Sequence, residues 1–426
     1  MKKLVGVVLL LLALVPQASA ADMAPCPSND FACIRGQLAT AFERSLDAIP
    51  TEMVRLDDVY DPEAGRDFSA AIKAIQEAHP TGAVVVLGKH RYLQDRVAPV
   101  NRPNILIYGP EAEIHATDPL AQLINVSGAH SAIYGAQLSG VSRQRGQKLT
   151  MVRLVLSGEG NGVAAAKVVD SGAAGIAAVG ARHFRITDNL VRDTKADGIH
   201  VTQGSRGGLI ARNVVENSGD DLIAVVSYDN GKRLVQDVLV TDNVGVGNRW
   251  GRGITVIGGR DVTITGNVIE GVAAGASIRI AQERVYGTYG VRNILVERNT
   301  LVNTQTRTRP LHTPGYTPQG AIDLYADEGA ERSETSGIYG VTIRDNLIVG
   351  SRVGGVTVSG VDMGNVIIED NNFVSVEPDY VFVLRGEDAC ATDCRVAGNR
   401  LNGQKLPDAK ADGKVWPASG SSQPAP

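Results

Sequence analysis

An asparagine recurs at the end of eight short segments, and this spacing constrains the fold more than any other feature of the chain. The segments alternate apolar and polar residues, as in "FRITDN", "VTITGN" and "VIIEDN". Repeats of this length, built from strands and turns with no helical pattern between them, predict a right-handed parallel β-helix with one coil per repeat. The asparagines, 24 to 47 residues apart, are Asn189, Asn213, Asn243, Asn267, Asn299, Asn346, Asn371 and Asn399.

We expect these asparagines to form an internal ladder and not a ligand-binding row. Asparagine tolerates the left-handed backbone that a tight coil corner needs, and its stacked side chains can hydrogen-bond from coil to coil. The 48 glycines, the 4% aromatic content and the many valines and isoleucines also suit short strands joined by tight turns. The predicted fold class is therefore all-β.

Two segments before the repeats have helical spacing of their apolar residues. One covers residues 29–49 behind a possible cap at Ser28 or Asn29, and the other, "DFSAAIKAIQEA", follows Arg66. The second helix leads into the apolar strand "AVVVL" and a turn at Gly88. Such a helix would cover the open end of the solenoid, which otherwise exposes unpaired backbone and apolar core.

The predicted organisation has four parts. Residues 1–20 have a basic start, a short apolar stretch and small residues before a cleavage point, which is typical of a secretory signal peptide. Residues 21–104 would form the helical cap and the first strands, residues 105–404 the β-helix, and residues 405–426 a disordered tail rich in Pro, Ser and Ala. This arrangement predicts a secreted or periplasmic protein.

Charge and cysteine usage exclude several classes of partner. With 42 basic and 46 acidic residues and no concentrated basic run, the chain is not expected to bind nucleic acid or a membrane surface. No segment after the leader is apolar for long enough to span a membrane. The cysteines form two close pairs, Cys26 with Cys33 and Cys390 with Cys394, which predict local disulfides, with a shared zinc site as the alternative. We expect a monomer.

Four segments of the repeat region stack chemically active residues on one face. They are "KADGIHV", "GDDLIAV", "GRGITVI" and "ASIRIA", which recur one repeat apart. Strand alternation then makes one position inward and its neighbours outward. The inward residues are Ile199, Ile223, Ile254, Ile278, Ile322 and Val356. The next, outward column is His200, Ala224, Thr255, Arg279, Asp323 and Thr357. The column at the turn into each strand is Asp197, Asp221, Arg252, Ala276, Gly320 and Gly354, with Asp220 beside it.

This register predicts a catalytic site with paired carboxylates. Asp197 and Asp221 would repel each other in a shielded groove, which raises one pKa and separates an acid from a base. Arg252 and Arg279 could bind a uronate carboxylate, or pair with those acids as structural ion pairs. Trp250 could stack on a sugar ring at the groove edge or pack as a coil corner.

The four segments resemble the ordered motifs of the polygalacturonase family of glycoside hydrolases. That family has NTD, a DD pair after Gly or Gln, GHG, and RIK, where this chain has "KADG", "GDD", "GRG" and "SIRIA". The resemblance covers roughly residues 184–282. It implies an inverting hydrolase in which Asp220 is the general acid and Asp197 and Asp221 activate the attacking water. It also implies that Arg279 binds substrate.

Two departures from the family concern the basic half of the site. The family's His is Arg252 here, and the Lys of RIK is Ala281. Homogalacturonan is therefore a doubtful substrate, and we expect another acidic or decorated polysaccharide. His200, as a further catalytic residue, and Asp323, as a substrate-binding residue, lie in the neighbouring outward column. No cofactor is expected for this chemistry.

Two other functions fit the same pattern. One is a polysaccharide lyase or C5 epimerase, in which the aspartates would bind Ca²⁺ and Arg252 or Arg279 would act as neutraliser or base. The other is a non-catalytic glycan-binding solenoid, in which Asp197, Asp220 and Asp221 are simply turn residues. An insertion from Asn303 to Gly337 would line or cover the groove in any of these cases.

Overall fold

The protein is a right-handed parallel β-helix of about 11 turns, as its repeats predict. The computed structural model describes residues 23–231, 233–307, 318–327, 336–377, 380–385, 390 and 393–411. Each full coil contributes one strand to each of three long sheets, and every pair of adjacent coils is joined by parallel ladders. The fold class is confirmed.

The first sheet consists of strands Met53–Arg55, Ala83–Val86, Ile105–Tyr108, Ala132–Tyr134, Gly162–Ala164, Arg185–Thr187, Arg206–Ala211, Gln236–Thr241, Gly259–Thr265, Val291–Glu297, Ile338–Arg344, Met363–Glu369, Cys394–Ala397 and Ala409–Ala411. The second sheet consists of Arg91–Gln94, Glu113–Ala116, Gln137–Ser139, Lys167–Val169, Leu190–Arg192, Val214–Ser218, Val244–Asn248, Val268–Glu270, Thr300–Val302, Leu347–Val349, Asn372–Val374, Arg400–Leu401 and Gln404–Lys405. The third sheet consists of Ala98–Val100, Ile124–Val126, Leu154–Leu156, Ile176–Val179, Ile199–Thr202, Ile223–Val226, Ile254–Ile257, Ile278–Gln282, Ile322–Ala326, Val356–Gly360 and Phe382–Arg385.

The inward column of the third sheet has the predicted register. Ile199 pairs with Ile223, and the ladder continues through the later coils to Val356. All six side chains are buried in the solenoid core. Burying one such aliphatic side chain contributes about 1.5 to 3 kcal/mol, so a column repeated in every coil holds the strands in one register.

The asparagine ladder is also confirmed. From Asn213 to Asn399, each Oδ1 accepts hydrogen bonds from the main-chain N–H and the Nδ2 of the asparagine one coil earlier, at 2.9 to 3.1 Å. The expected backbone is wrong, because the left-handed residue is the one before each asparagine, with φ between 52° and 67°. That residue turns the corner, which leaves the asparagine to point inward. These preceding residues are Asp188, Arg212, Asp242, Gly266, Arg298, Asp345, Asp370 and Gly398.

Two α-helices precede the solenoid proper. Helix α1, Phe31–Ala41, is capped by Asp30 and not by Ser28 or Asn29, because the Asp30 carboxylate accepts the N–H of Cys33 at 3.0 Å. It packs on the outer surface of the first sheet. Helix α2, Phe68–Ala78, is capped by Asp67 and buries Phe68, Ile72 and Ile75 against the core, so it covers the end of the solenoid as predicted. Short 3₁₀ turns are Leu46–Ala48, Leu56–Asp58, Leu149–Met151, Asp229–Gly231 and Arg284–Tyr286.

Both predicted disulfides are present, one near each end of the described chain: Cys26 with Cys33 and Cys390 with Cys394. These bonds exclude the shared zinc site. The tail differs from the expected disorder at its start, because Gln404–Lys405 and Ala409–Ala411 each pair antiparallel with the preceding strands. Residues 1–22 and 412–426, which include most of the leader and tail predictions, lie outside the described residues. Among the helices described, none is long and apolar enough to cross a membrane.

Candidate active site

The third sheet positions the predicted site at the turn into four consecutive strands. The outward column runs from His200 through Ala224, Thr255 and Arg279 to Asp323 in paired register. At the turn, the N–H of Gly198 bonds to the carbonyl of Asp221 at 2.9 Å. The column containing Asp197 and Asp221 therefore has the predicted stacking as well, since the main chains of these turns are bonded coil to coil.

Three carboxylates meet at this point. Asp197, Asp220 and Asp221 each place one oxygen within 4.8 Å of the others. Asp221 is buried, whereas the side chain of Asp220 is 20% exposed and faces the cleft. The sequence-predicted acids thus form one cluster with an inner and an outer side.

Asp197 is held on both of its oxygens. Its Oδ1 accepts the N–H of Asp221 at 3.1 Å, and its Oδ2 lies 2.7 Å from Nδ1 of His200. A carboxylate oxygen can only accept when ionised, so Nδ1 of His200 carries the proton in this contact. Burial disfavours the charged form of His200, but the bond to Asp197 and the charges of Asp221 and Asp220 outweigh it and raise the histidine pKa.

Asp221 is the titratable group at the base of the cluster. Its Oδ1 accepts the N–H of Arg252 at 2.7 Å, and its Oδ2 accepts the hydroxyl of Thr255 at 2.9 Å. Burial and the nearby charge of Asp197 nevertheless raise its pKa to about 7, with Arg252 opposing the shift and Asp220 adding to it. Asp221 therefore titrates near neutral pH, the range in which a side chain can serve as a general base.

Asp220 is paired with an arginine that the sequence analysis missed. Nη1 of Arg145 lies 2.7 Å from Oδ2 of Asp220, and the Arg145 side chain is half exposed. Arg145 lies in a loop between Ser139 and Leu149, outside the strand register, so no repeat signal points to it. Gly251 allows the next coil to approach, since a Cβ at this left-handed position would lie 2.5 Å from Oδ1 of Asp220.

The two predicted substrate-binding arginines are both paired with protein carboxylates. Arg279 contacts Asp323 at 2.8 Å and Glu283 at 3.1 Å, and Glu283 also contacts Arg252 at 3.4 Å. Both arginines thus form ion pairs, as the alternative interpretation predicted. Their partners are Glu283 and Asp323 and not the three aspartates. Glu283 was also missed; its position four residues after Arg279, just beyond the strand, was the available signal.

A cleft of about 200 Å³ is lined by the three aspartates, His200, Arg145, Arg252 and Glu283, whereas Arg279 and Asp323 line a neighbouring cleft. Trp250 stands at its edge with 65% of its surface exposed, so it is not a packed coil corner. Tyr228 and Tyr286 also line the cleft.

The neighbouring cleft of about 330 Å³ shares Tyr286 and Glu283 and is bounded by Pro318 from the predicted insertion. Residues 308–317 and 328–335 of that insertion lie outside the described part of the chain.

A larger cleft of about 650 Å³ lies at the other end of the molecule, between the segment after α1 and the first coils. Its arginine, Arg44, donates to the carbonyls of His130 and Gly160 at 2.7 Å, which ties that segment to the solenoid. We assign the chemistry to the smaller cleft, because that is where the carboxylate cluster lies.

The three carboxylates could each offer one oxygen to a metal ion, which is fewer ligands than the Ca²⁺ of the lyase alternative needs. Calcium prefers six to eight oxygen ligands. Here Asp197 and Asp221 already accept protein hydrogen bonds on both oxygens, and Asp220 is bound by Arg145. Two basic side chains, Arg145 and His200, also contact the cluster directly and would repel a cation.

Comparisons with known proteins agree with this architecture. The family model described as "Right handed beta helix region" matches residues 124–301. The chain has the right-handed β-helix fold. A search of curated proteins by sequence gave no significant match.

Several solved structures share this fold. An exopolygalacturonase from Thermotoga maritima is 16% identical with a TM-score of 0.64, over 86% of this chain and 95% of that one. A catalytic domain of a GH87 alpha-1,3-glucanase in complex with tetrasaccharides is 18% identical with a TM-score of 0.64, over 86% and 69%. The A-module of a mannuronan C-5 epimerase from Azotobacter vinelandii is 13% identical with a TM-score of 0.55, over 82% and 98%. Identities this low carry the fold, and the predicted resemblance is confirmed at that level.

Proposed function

We propose that the protein is a glycoside hydrolase that cleaves a polysaccharide in the cleft of the third sheet. The observation that carries this proposal is the cluster of Asp197, Asp220 and Asp221, in which one carboxyl is buried with a pKa near 7 and another faces the cleft. Glycoside hydrolysis needs a carboxylic acid at the leaving oxygen and a carboxylate at the attacking water. The two glycoside hydrolases among the similar structures support the same class.

Asp220 is the proposed general acid, because it is the most exposed of the three carboxylates. Its ion-pair partner, Arg145, has a long side chain that is half exposed at the surface. Substrate entry displaces the half-exposed Arg145 from Asp220. Asp220 then delivers a proton to the leaving oxygen while the carboxylate at the attacking water takes one. A return of that proton to Asp220 within the cluster completes the turnover.

Asp197 and Asp221 are the proposed bases for the attacking water. Oxygens within 4.8 Å can share one water, since two hydrogen bonds of about 2.8 Å span that distance. Both carboxylates are already held by protein donors, so neither is set up as a nucleophile, and we propose inversion at the anomeric carbon. The inverting assignment rests on these hydrogen bonds, because the 4.8 Å limit joins single oxygens of the three aspartates. It is not the separation between acid and base carboxyl groups, which is about 6.5 to 9.5 Å in inverting enzymes.

A product assay tests this function. The purified protein is incubated with neutral, uronate and amino-sugar polysaccharides, with and without a chelator, while reducing ends and the ultraviolet absorbance of unsaturated products are followed. We expect new reducing ends without absorbance, and no effect of the chelator. Absorbance would show a lyase, and exchange of the C5 hydrogen without cleavage would show an epimerase.

A further inference from the structure

The basic side chains of the cleft are neutralised by the protein itself. Arg145 is paired with Asp220, and Glu283 bridges Arg252 and Arg279 at 3.4 and 3.1 Å. Arg279 is further held by Asp323 at 2.8 Å and by the ring of Tyr325, which lies 4.9 Å from its guanidinium carbon. A uronate carboxylate entering here would have to compete with carboxylates that are already in place and largely buried.

The outward column two residues further along these strands is apolar. The family resemblance places a Lys at position 281, but Ala281 lies there in register with Ile257 and Tyr325, and Ile257 is in register with Val226. Val226, Ile257 and Ala281 are buried together with Ala224, and Tyr228 packs against them. Part of the cleft wall is therefore suited to the C–H face of a sugar and provides no positive charge.

The pKa values of three basic or phenolic groups in the cleft are raised, as a negative electrostatic potential would raise them. Burial lowers the pKa of Arg252, but Asp221, Glu283, Asp220 and Asp323 together raise it above its ordinary value. The pKa of Tyr228 rises to about 12 through burial and through Asp197, Asp221 and Glu283. His200 is shifted upward against its own burial by the same acids. An anionic sugar would meet this potential unfavourably.

We propose that the cleft binds and cleaves an uncharged glycan, and that Glu283 sets this specificity by occupying the two arginines that a uronate would need. The proposal rests on the hydrolase function proposed above and specifies its substrate class. An uncharged glycan replaces the acidic polysaccharide that Arg252 and Arg279 led us to expect. Those side chains neutralise Glu283 and Asp323 and not the substrate.

The test compares polymers that differ only in the carboxyl group. Uronate polymers and their carboxyl-reduced forms share ring shape and linkage, so each pair isolates charge. Wild type is assayed for kcat/KM on each pair, and binding of oligosaccharides to Asp220→Asn is measured by calorimetry with neutral, uronate and glucosamine ligands. Asp220→Asn removes one negative charge and therefore favours the binding of anionic ligands. Any bias that the variant introduces thus works against the proposal.

We expect the reduced polymer to have a kcat/KM at least about tenfold above its uronate partner, with a KM that salt barely changes, because screening does not act on a neutral ligand. Glu283→Gln should bring the kcat/KM values of the two polymers closer together, because it releases both arginines. If Glu283→Gln loses its fold, as judged by circular dichroism, Asp323→Asn is used in its place. Glu111→Gln, which breaks an exposed ion pair with Lys89 away from the cleft, is the matched control.

The outcomes separate the two claims. Cleavage that favours a uronate form, or tightest binding of a uronate or amino-sugar ligand with strong salt dependence, would overturn the neutral-substrate inference and leave the hydrolase function standing. Selective binding of neutral oligosaccharides without cleavage would support the inference and overturn the hydrolase. Absence of both binding and cleavage across the panel would overturn both.

Discussion

Nδ1 of His200 lies 2.7 Å from Oδ2 of Asp197, and this contact joins the outward column of the third sheet to the column at the turn. The two residues are three apart in sequence, and the strand start between them directs both side chains to one cleft. The bond keeps the Asp197 carboxylate in place beside Asp221, whose N–H contacts its other oxygen. We infer from this contact that His200 positions the cluster, and the catalytic role expected from the sequence stays a prediction.

Replacing His200 should destabilise the protein in a pH-dependent way. The pKa of His200 is raised in the folded state, so its stabilising effect is complete below the unfolded value of about 6.5 and is lost as pH rises through the folded value. The difference in unfolding free energy between wild type and His200→Gln should be larger at about pH 5.5 than at about pH 9. Thermal unfolding and histidine NMR titration, with His79→Gln as control, measure it. A difference that grows with pH would contradict this account.

Replacing Asp221 should change the stability in the same direction with pH, but over a lower pH range. Its folded pKa of about 7 is above the unfolded value, so the unfolded state binds fewer protons and wild-type stability falls from about pH 4 to about pH 7. Asp221→Asn removes this loss and should gain on wild type by about 1 to 4 kcal/mol over that range. Denaturant unfolding at each pH checks the prediction, and parallel curves for the two proteins would refute it.

The same substitution should reshape the activity profile. If Asp221 is a base with a pKa of about 7, the rate should rise with pH through that value in wild type. In Asp221→Asn the rising limb should be absent and the residual rate low. A rising limb retained at the same pH would assign it to another group.

Breaking the asparagine ladder should cost stability out of proportion to the volume removed. Asn243 accepts from Asn213 through Oδ1, and its Nδ2 donates to Asn267 and to the carbonyls of Ile210 and Thr241. Asn243→Ala leaves several buried groups unpaired, which predicts a loss of about 2 to 5 kcal/mol. Asn101→Ala, at an exposed position outside the ladder and without a left-handed backbone, is the control. Equal melting temperatures for the two variants would disprove a structural role for the ladder.

Trp250 should contribute to substrate binding and little to stability. It is 65% exposed at the cleft edge. Stacking between aromatic rings contributes about 0.5 to 1.5 kcal/mol, and we take the same range for stacking on a sugar ring. Trp250→Ala should therefore raise KM roughly two- to twelvefold with kcat and melting temperature nearly unchanged. Leu120→Ala, an exposed apolar residue elsewhere, gives the comparison. An unchanged KM would remove Trp250 from the site.

Strand register could be predicted from the sequence because it depends on local alternation. The inward isoleucines repeat with a period of two within each strand and once per coil, so the positions of Asp197, Asp221 and His200 followed from Ile199 and Ile223. The asparagine ladder was predictable for the same reason. The corner geometry was not, because either Asn189 or Asp188 could adopt the left-handed backbone.

The partners of the site could not be predicted in the same way. Arg145 reaches Asp220 from a loop 75 positions earlier, where no repeat fixes the path of the chain. Glu283 lies just past the end of its strand, where alternation stops defining direction. Both residues contribute to the charge balance of the cleft, so the substrate expected from Arg252 and Arg279 alone stays a prediction.

The release of reducing ends by Asp220→Asn tests the central claim most directly. Asp237→Asn, at an exposed left-handed position on the first sheet, controls for loss of a carboxylate. On any polysaccharide that wild type cleaves, Asp220→Asn should lose at least about a hundredfold in kcat, since general acid catalysis contributes about that much or more, while Asp237→Asn retains the wild-type rate and both keep the wild-type circular dichroism spectrum. Turnover by Asp220→Asn within a few-fold of wild type would contradict the proposed mechanism.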